Sequence, residues 1–189
     1  MNTTKENISD ALKRLLQKKS LTKVTIADIT RECGVTRMTF YYHFTDIYDL
    51  ILWICENDKR MALEDIEDAG RWQKGFLSLL ETARKNHSFV SNVCSNVDRK
   101  LVEKYLHNVT GELLKAVIDT QAEGIRISEA DKKVAVDFYK YAVVGAELAW
   151  VEDGMQEMPR TLVDCTARMV QGDFKEPLKY LCRTSLEIA

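Results

Sequence analysis

The chain has 189 residues, 46% hydrophobic and 30% charged, with a formal net charge of −2. It carries enough apolar material for a core without staples, and no run of about 18 apolar residues to span a bilayer. The balanced charge excludes a generic polyanion binder, and only 2 Pro and 8 Gly favour long helices over β architecture.

The N-terminus lacks the apolar core of a signal peptide, so a cytoplasmic location is expected. Ile8, Ala11, Leu12, Leu15 and Leu16 recur at helical spacing and predict a helix over 4–18. Ser20-Leu21-Thr22 breaks that pattern. Thr25 then suits an N-cap, with Asp28 three residues on as its capping-box partner. A second helix is predicted over 26–33. Gly34 follows in the place where a left-handed residue closes a helix. Thr36 caps a third short helix over 37–44. Two helices joined by a Gly-containing turn within this span have the layout of a helix-turn-helix. Arg37, Met38, Thr39, Tyr41, Tyr42 and His43 include no carboxylate, as suits a helix lying against phosphates.

Asp46 begins a long helix expected to end near Gly70. Further helices are predicted over 72–86, 98–123, 129–152, 160–171 and 176–186, with Ser128 as a cap and Pro159 in a tolerated first-turn place. No alternating strand pattern of useful length occurs. The fold class expected is all-α, divided into a DNA-binding unit over 1–47 and a larger helical regulatory and dimerisation unit over 48–189. Residues 1–52 hold 8 Lys/Arg against 6 Asp/Glu, so the N-terminal piece is basic and the remainder acidic. That asymmetry points to the N-terminal piece as the part that meets phosphate.

Five cysteines, Cys33, Cys55, Cys94, Cys165 and Cys182, form no C-x-x-C pair and read as buried reduced thiols. His43, His87 and His107 lack metal-ligand spacing. No metal, no cofactor and no enzymatic activity are expected, because no nucleophile, metal or cofactor motif stands in the chain.

The stretch from Val24 to Phe44, VTIADITRECGVTRMTFYYHF, resembles the signature of the TetR family of transcription regulators. Thr45-Asp46-Ile47-Tyr48-Asp49-Leu50 extends the likeness. Val143-Val-Gly-Ala-Glu-Leu-Ala-Trp-Val-Glu-Asp-Gly-Met155 resembles the regulatory domain of a subgroup that includes dihydroxyacetone-kinase operon regulators. The resemblance implies three helices for DNA, then six or seven for ligand binding and dimerisation. It implies that Thr25 contacts a phosphate. Thr36, Arg37, Met38 and Thr39 would face base edges, and Tyr41, Tyr42 and His43 would reach the phosphate backbone. Arg37 is the candidate for direct readout, since a guanidinium can engage guanine O6 and N7 together. One departure stands out: where the family usually places a phosphate-binding Lys, this chain has Ile47.

The implied partners are an operator duplex, a second copy of the chain, and a small-molecule effector or a co-regulator protein. No membrane partner is expected. Nine aromatics of the second unit are pocket candidates: Trp53, Trp72, Phe76, Phe89, Tyr105, Phe138, Tyr139, Tyr141 and Trp150. Roughly one in three is expected to touch a ligand, with Trp53, Phe76, Tyr105 and Tyr139 put first. Small residues over 129–152 permit close helix approach. Such packing serves either the chain's own core or a second copy, and the resemblance favours the second, with Val143, Gly145, Ala146, Ala149 and Trp150 at a dimer interface. By the resemblance, this helix and the one over 160–171 form a four-helix bundle with their two-fold mates.

Overall fold

The computed structural model describes residues 3–64, 72–124 and 126–169. Those residues form nine α-helices and no strand. They are α1 (Thr4–Leu16), α2 (Ile26–Cys33), α3 (Arg37–His43), α4 (Ile47–Leu63) and α5 (Trp72–Lys85). After these come α6 (His87–Asn96), α7 (Arg99–Gln121), α8 (Glu129–Glu152) and α9 (Pro159–Met169). The helix predicted over 176–186, and Cys182, lie outside the described residues. So do the predicted ends near Gly70 and at residue 171. Among the described residues, no helix is long and apolar enough to cross a membrane.

Local chemistry sets the N-terminal boundaries. Thr3 and Glu6 close a capping box on α1, and Thr25 and Asp28 close one on α2. The first helix ends at Leu16, earlier than its spacing predicts, and a single 3-10 turn, Leu21–Lys23, leads to α2. Asp46 caps α4 by accepting from the Asp49 N–H. These caps are each worth about 1 kcal/mol.

One helix was not legible. Residues 87–96 are rich in Ser, Asn and Val, all poor helix formers, yet they form α6. Tertiary burial outweighs propensity here: Phe89 is buried, and Val90, Val93 and Val97 pack against the neighbouring core.

Among the described residues, four apolar clusters form the core. The first joins Ile8 and Leu12 of α1, Ile29 of α2, Phe40 of α3, Leu50 and Ile54 of α4, and Phe89 of α6. Each such side chain contributes about 1.5–3 kcal/mol through burial. The helix-turn-helix therefore shares its core with α4 and α6, beyond residue 47. A second cluster pairs Leu114, Val117 and Ile118 of α7 with Ala135 of α8. A third gathers Phe76 and Leu80 of α5, Val143 and Trp150 of α8, and Val163 of α9. A fourth sets Val102 of α7 against Val144 and Leu148 of α8, with Val93 of α6 and Val97 just after it alongside.

Two of the residues expected at the interface take part in this packing. Val143 and Trp150 are 7% and 5% exposed, and both point into the chain's own third cluster. The Trp150 indole N–H donates to the Glu157 carbonyl at 2.9 Å, which fixes it inward. Gly145 and Ala149 are exposed and Ala146 is half-buried.

Candidate DNA-binding surface and ligand cavity

The helix-turn-helix is built so that α3 buries one face and presents the other. Gly34 takes φ +71°, and a Cβ there would meet nothing within 4 Å. Glycine is therefore required by the left-handed backbone and not by crowding. Thr36 accepts from the Thr39 N–H at 3.0 Å, and the two hydroxyls lie 2.9 Å apart. Phe40 and Phe44 plug the helix into the first cluster. On the outer side, Arg37 is exposed, and Met38, Tyr41 and Tyr42 are 82%, 58% and 84% exposed. His43 is half-buried, its ring edge-on to Tyr42 at 4.9 Å. The resulting face holds donors and no carboxylate.

Thr25 is exposed, but its hydroxyl proton is donated to Asp28 Oδ2 at 2.7 Å. Lys19 binds the same carboxylate at 2.8 Å. That lysine first, and Thr25 second, hold the Asp28 carboxyl far below the usual carboxylate range. Ile47 is half-buried against the first cluster. It occupies the family's lysine place as a packing residue.

A cavity of about 500 Å³ lies between α4, α5, α6, α7 and α8. This falls within the usual size of small-molecule sites. Its wall is mainly aliphatic, with Val93 and Val97 on one side and Val102 and Leu106 on another. Of the four aromatics put first, only Tyr105 lines it. Trp53 packs edge-on to Phe44 at 5.9 Å and borders a separate open groove. Phe76 is buried in the third cluster, and Tyr139 packs against the second. From the wider set, Phe89 and Trp150 also reach the cavity.

Polar groups are few on that wall. Glu147 of α8 lines the cavity, and the Thr110 hydroxyl of α7 donates to its Oε2 at 3.4 Å. Burial pushes the Glu147 carboxyl up to about 8, and the Thr110 hydrogen bond offsets this only in part. Burial likewise pushes the Cys55 thiol up to about 12, and raises Cys94 and Tyr105. These thiols are half-buried, as is Cys33, whose Sγ donates to the Ile29 carbonyl. The low-dielectric character of the cavity is the shared cause.

A further set of residues escaped sequence reasoning. On α6, Asn92 accepts from the Leu21 N–H at 3.0 Å and donates to the Leu16 carbonyl at 3.2 Å. Asn96, one turn on, accepts from the Ser20 hydroxyl at 3.3 Å. Lys13 of α1 meets Asp58 of α4 at 2.9 Å, and Asn86 donates to the same carboxylate at 3.0 Å. The helix that lines the cavity with Val90 and Val93 thus grips the end of α1 with its other face. Two asparagines at i, i+4 in an apolar helix would have been the signal.

An exposed, carboxylate-free third helix, in a unit whose first helix is hydrogen-bonded to a cavity-bearing helical body, has the build of a helix-turn-helix transcription regulator. Residues 8–53 match the model of bacterial regulatory proteins of the tetR family, and residues 70–172 match that of a transcriptional regulator C-terminal region. The chain belongs to the TetR family. It is 28% identical to the HTH-type dhaKLM operon transcriptional activator DhaS of Lactococcus lactis subsp. lactis (strain IL1403), over 62% of this chain and 63% of that one. It is 30% identical to an uncharacterized HTH-type transcriptional regulator, YerO, of Bacillus subtilis (strain 168), over 71% of this chain and 52% of that one. The matches thus span less than two thirds of either relative's own length. A solved structure titled dihydroxyacetone kinase operon activator DhaS superposes with a TM-score of 0.75. That superposition is at 24% identity and covers 88% of this chain and 93% of that one, which establishes the fold. These relatives are regulators of transcription and not enzymes.

Proposed function

We propose that the chain is a cytoplasmic homodimer that binds a specific operator through α3 and answers to a small molecule held in the cavity. The exposed donor face of α3 carries the DNA reading, with Arg37 at base edges and Tyr41, Tyr42 and His43 toward phosphates. Thr36, Met38 and Thr39 share the base-facing start of the helix. Thr25 supports the backbone contact less directly, since its hydroxyl proton is engaged by Asp28.

Dimerisation is supported by the outer face of α8. Val134, Phe138 and Tyr141 are 58%, 70% and 63% exposed, and Gly145 and Ala149 continue the same side. An apolar stripe of this length suits a symmetric helix-helix contact. The cavity favours a small effector over control by a protein partner alone, which would leave it without a role.

Selection of bound fragments from the source genome should return one recurrent palindromic site. Sedimentation at micromolar concentration should give about twice the 21.7 kDa chain mass. Gly145→Glu with Ala149→Glu should yield a folded monomer with weakened operator binding. A wild-type monomer, or fragments without a shared site, would overturn the proposal.

A further inference from the structure

The cavity combines an apolar wall with one acidic group that has no cationic partner among the described residues. Glu147 sits on α8 with Thr110 as its hydrogen-bond donor. The lysine nearest in kind, Lys59, is held by Glu56 at 2.8 Å and by Glu112 at 3.5 Å. Asp58, also on the wall, is already paired with Lys13. Lys104 reaches the rim but is exposed. A carboxyl desolvated in this way is poorly served when empty of ligand, because its charged form lacks a compensating charge. A ligand that brings that charge gains an interaction strengthened by the apolar surroundings.

We infer that the cavity selects a lipophilic monocation, an amine on an aliphatic or aromatic body, with its head against Glu147 and Thr110. The inference rests on the cavity being the effector site. The body would lie along Val93, Val97, Val102 and Leu106, which supply apolar contact without further polar demand. An anionic ligand of the same body would bring no charge to offset an ionised Glu147 and would stand near the carboxylates of Glu56 and Asp58. A neutral alcohol would keep the apolar contact and one hydrogen bond, but no ion pair. The raised proton affinity of Glu147 agrees with this ranking, since a cation in contact would restore its charged form.

Calorimetric titration of the full chain with 4-phenylbutylamine, 4-phenylbutanol and 4-phenylbutyrate tests the class, because the three share a body and differ in the head. The amine should bind at least tenfold more tightly than the alcohol, and the carboxylate more weakly still. Glu147→Gln should lower amine affinity about tenfold and leave the alcohol within about twofold. Glu147→Asp, which keeps the charge, should recover part of the loss. Equal binding of alcohol and amine, or preference for the carboxylate, would overturn the cation assignment while leaving the cavity as a ligand site. Absence of binding by all three, with the protein folded by circular dichroism, would overturn both. Operator binding measured with saturating amine separates the readings: amine binding through Glu147 with no effect on DNA would keep the cation site and remove its role as effector site.

Discussion

Replacing Glu147 by Gln should change how stability depends on pH. In the unfolded chain a Glu ionises around its ordinary 4.5, whereas in the cavity burial raises it to about 8. Between those values the unfolded state has released a proton that the folded state still holds. The folded state therefore loses ground as pH rises, by about 1.4 kcal/mol per pH unit across the window. The loss begins near pH 4.5, where the unfolded group titrates, and levels off above pH 8, where the native group ionises as well. Integrated, it reaches a ceiling of about 5 kcal/mol, reduced by whatever water the cavity admits. Gln cannot titrate, so the difference between the two proteins isolates this carboxyl from every other group. Urea denaturation at fixed protein concentration, at half-unit steps from pH 5 to 9, should show the variant gaining on the wild type up to about pH 8 and little beyond. At pH 9 it should be the more stable by at least about 2 kcal/mol. A difference that stayed flat over the whole range would show that Glu147 is well solvated, and the reasoning about the cavity would fail.

Ile47→Lys should lower stability by about 1–2 kcal/mol, since the half-buried side chain packs on the first cluster. The salt dependence of DNA binding should stay unchanged. A slope steeper by about 0.9 per half-site at unchanged stability would instead restore the family's lysine contact. Arg37→Ala should cost about 1–3 kcal/mol per half-site on the preferred operator and relax base choice there. Tyr42→Phe should weaken operator and random duplex alike; a loss confined to the operator would give Tyr42 a reading role. Asn92→Ala removes the bonds to Leu21 and Leu16. It should leave ligand affinity nearly intact while shrinking the ratio of DNA affinities with and without ligand, and an unaltered ratio would show that coupling runs elsewhere.

The DNA-binding half was legible because its signals are local. Thr25 with Asp28, Gly34 and Thr36 fix two helices and the turn between them through neighbours a few residues apart. The cavity was not legible, because it is a property of where helices leave space. Aromatics were natural pocket candidates, yet Phe76 and Tyr139 fill packing gaps and Trp53 supports Phe44. Glu147 gave no local signal, since a Glu in a helix most often faces solvent. Its register gave the contrary hint: Glu147 falls beside Val143, Val144 and Leu148, the inward side of α8. The same face explains Trp150, whose neighbours in sequence suggested a small-residue seam while its own direction is inward. In α6, weak propensity concealed a helix that only its neighbours hold in place.

The two-sided commitment of α6 has a bearing on any attempt to turn this regulator into a biosensor. One side of a ten-residue helix forms cavity wall and the other is bonded to the end of α1. With the cavity as the proposed effector site, substitutions there would alter ligand recognition and its coupling to DNA at once, and a library built on α6 would return many dead or constitutive clones. Positions on α7 and α8, such as Val102, Leu106, Thr110 and Glu147, touch the cavity without holding the DNA-binding helices. Recognition can be retuned from that side while the output stage is left as it stands.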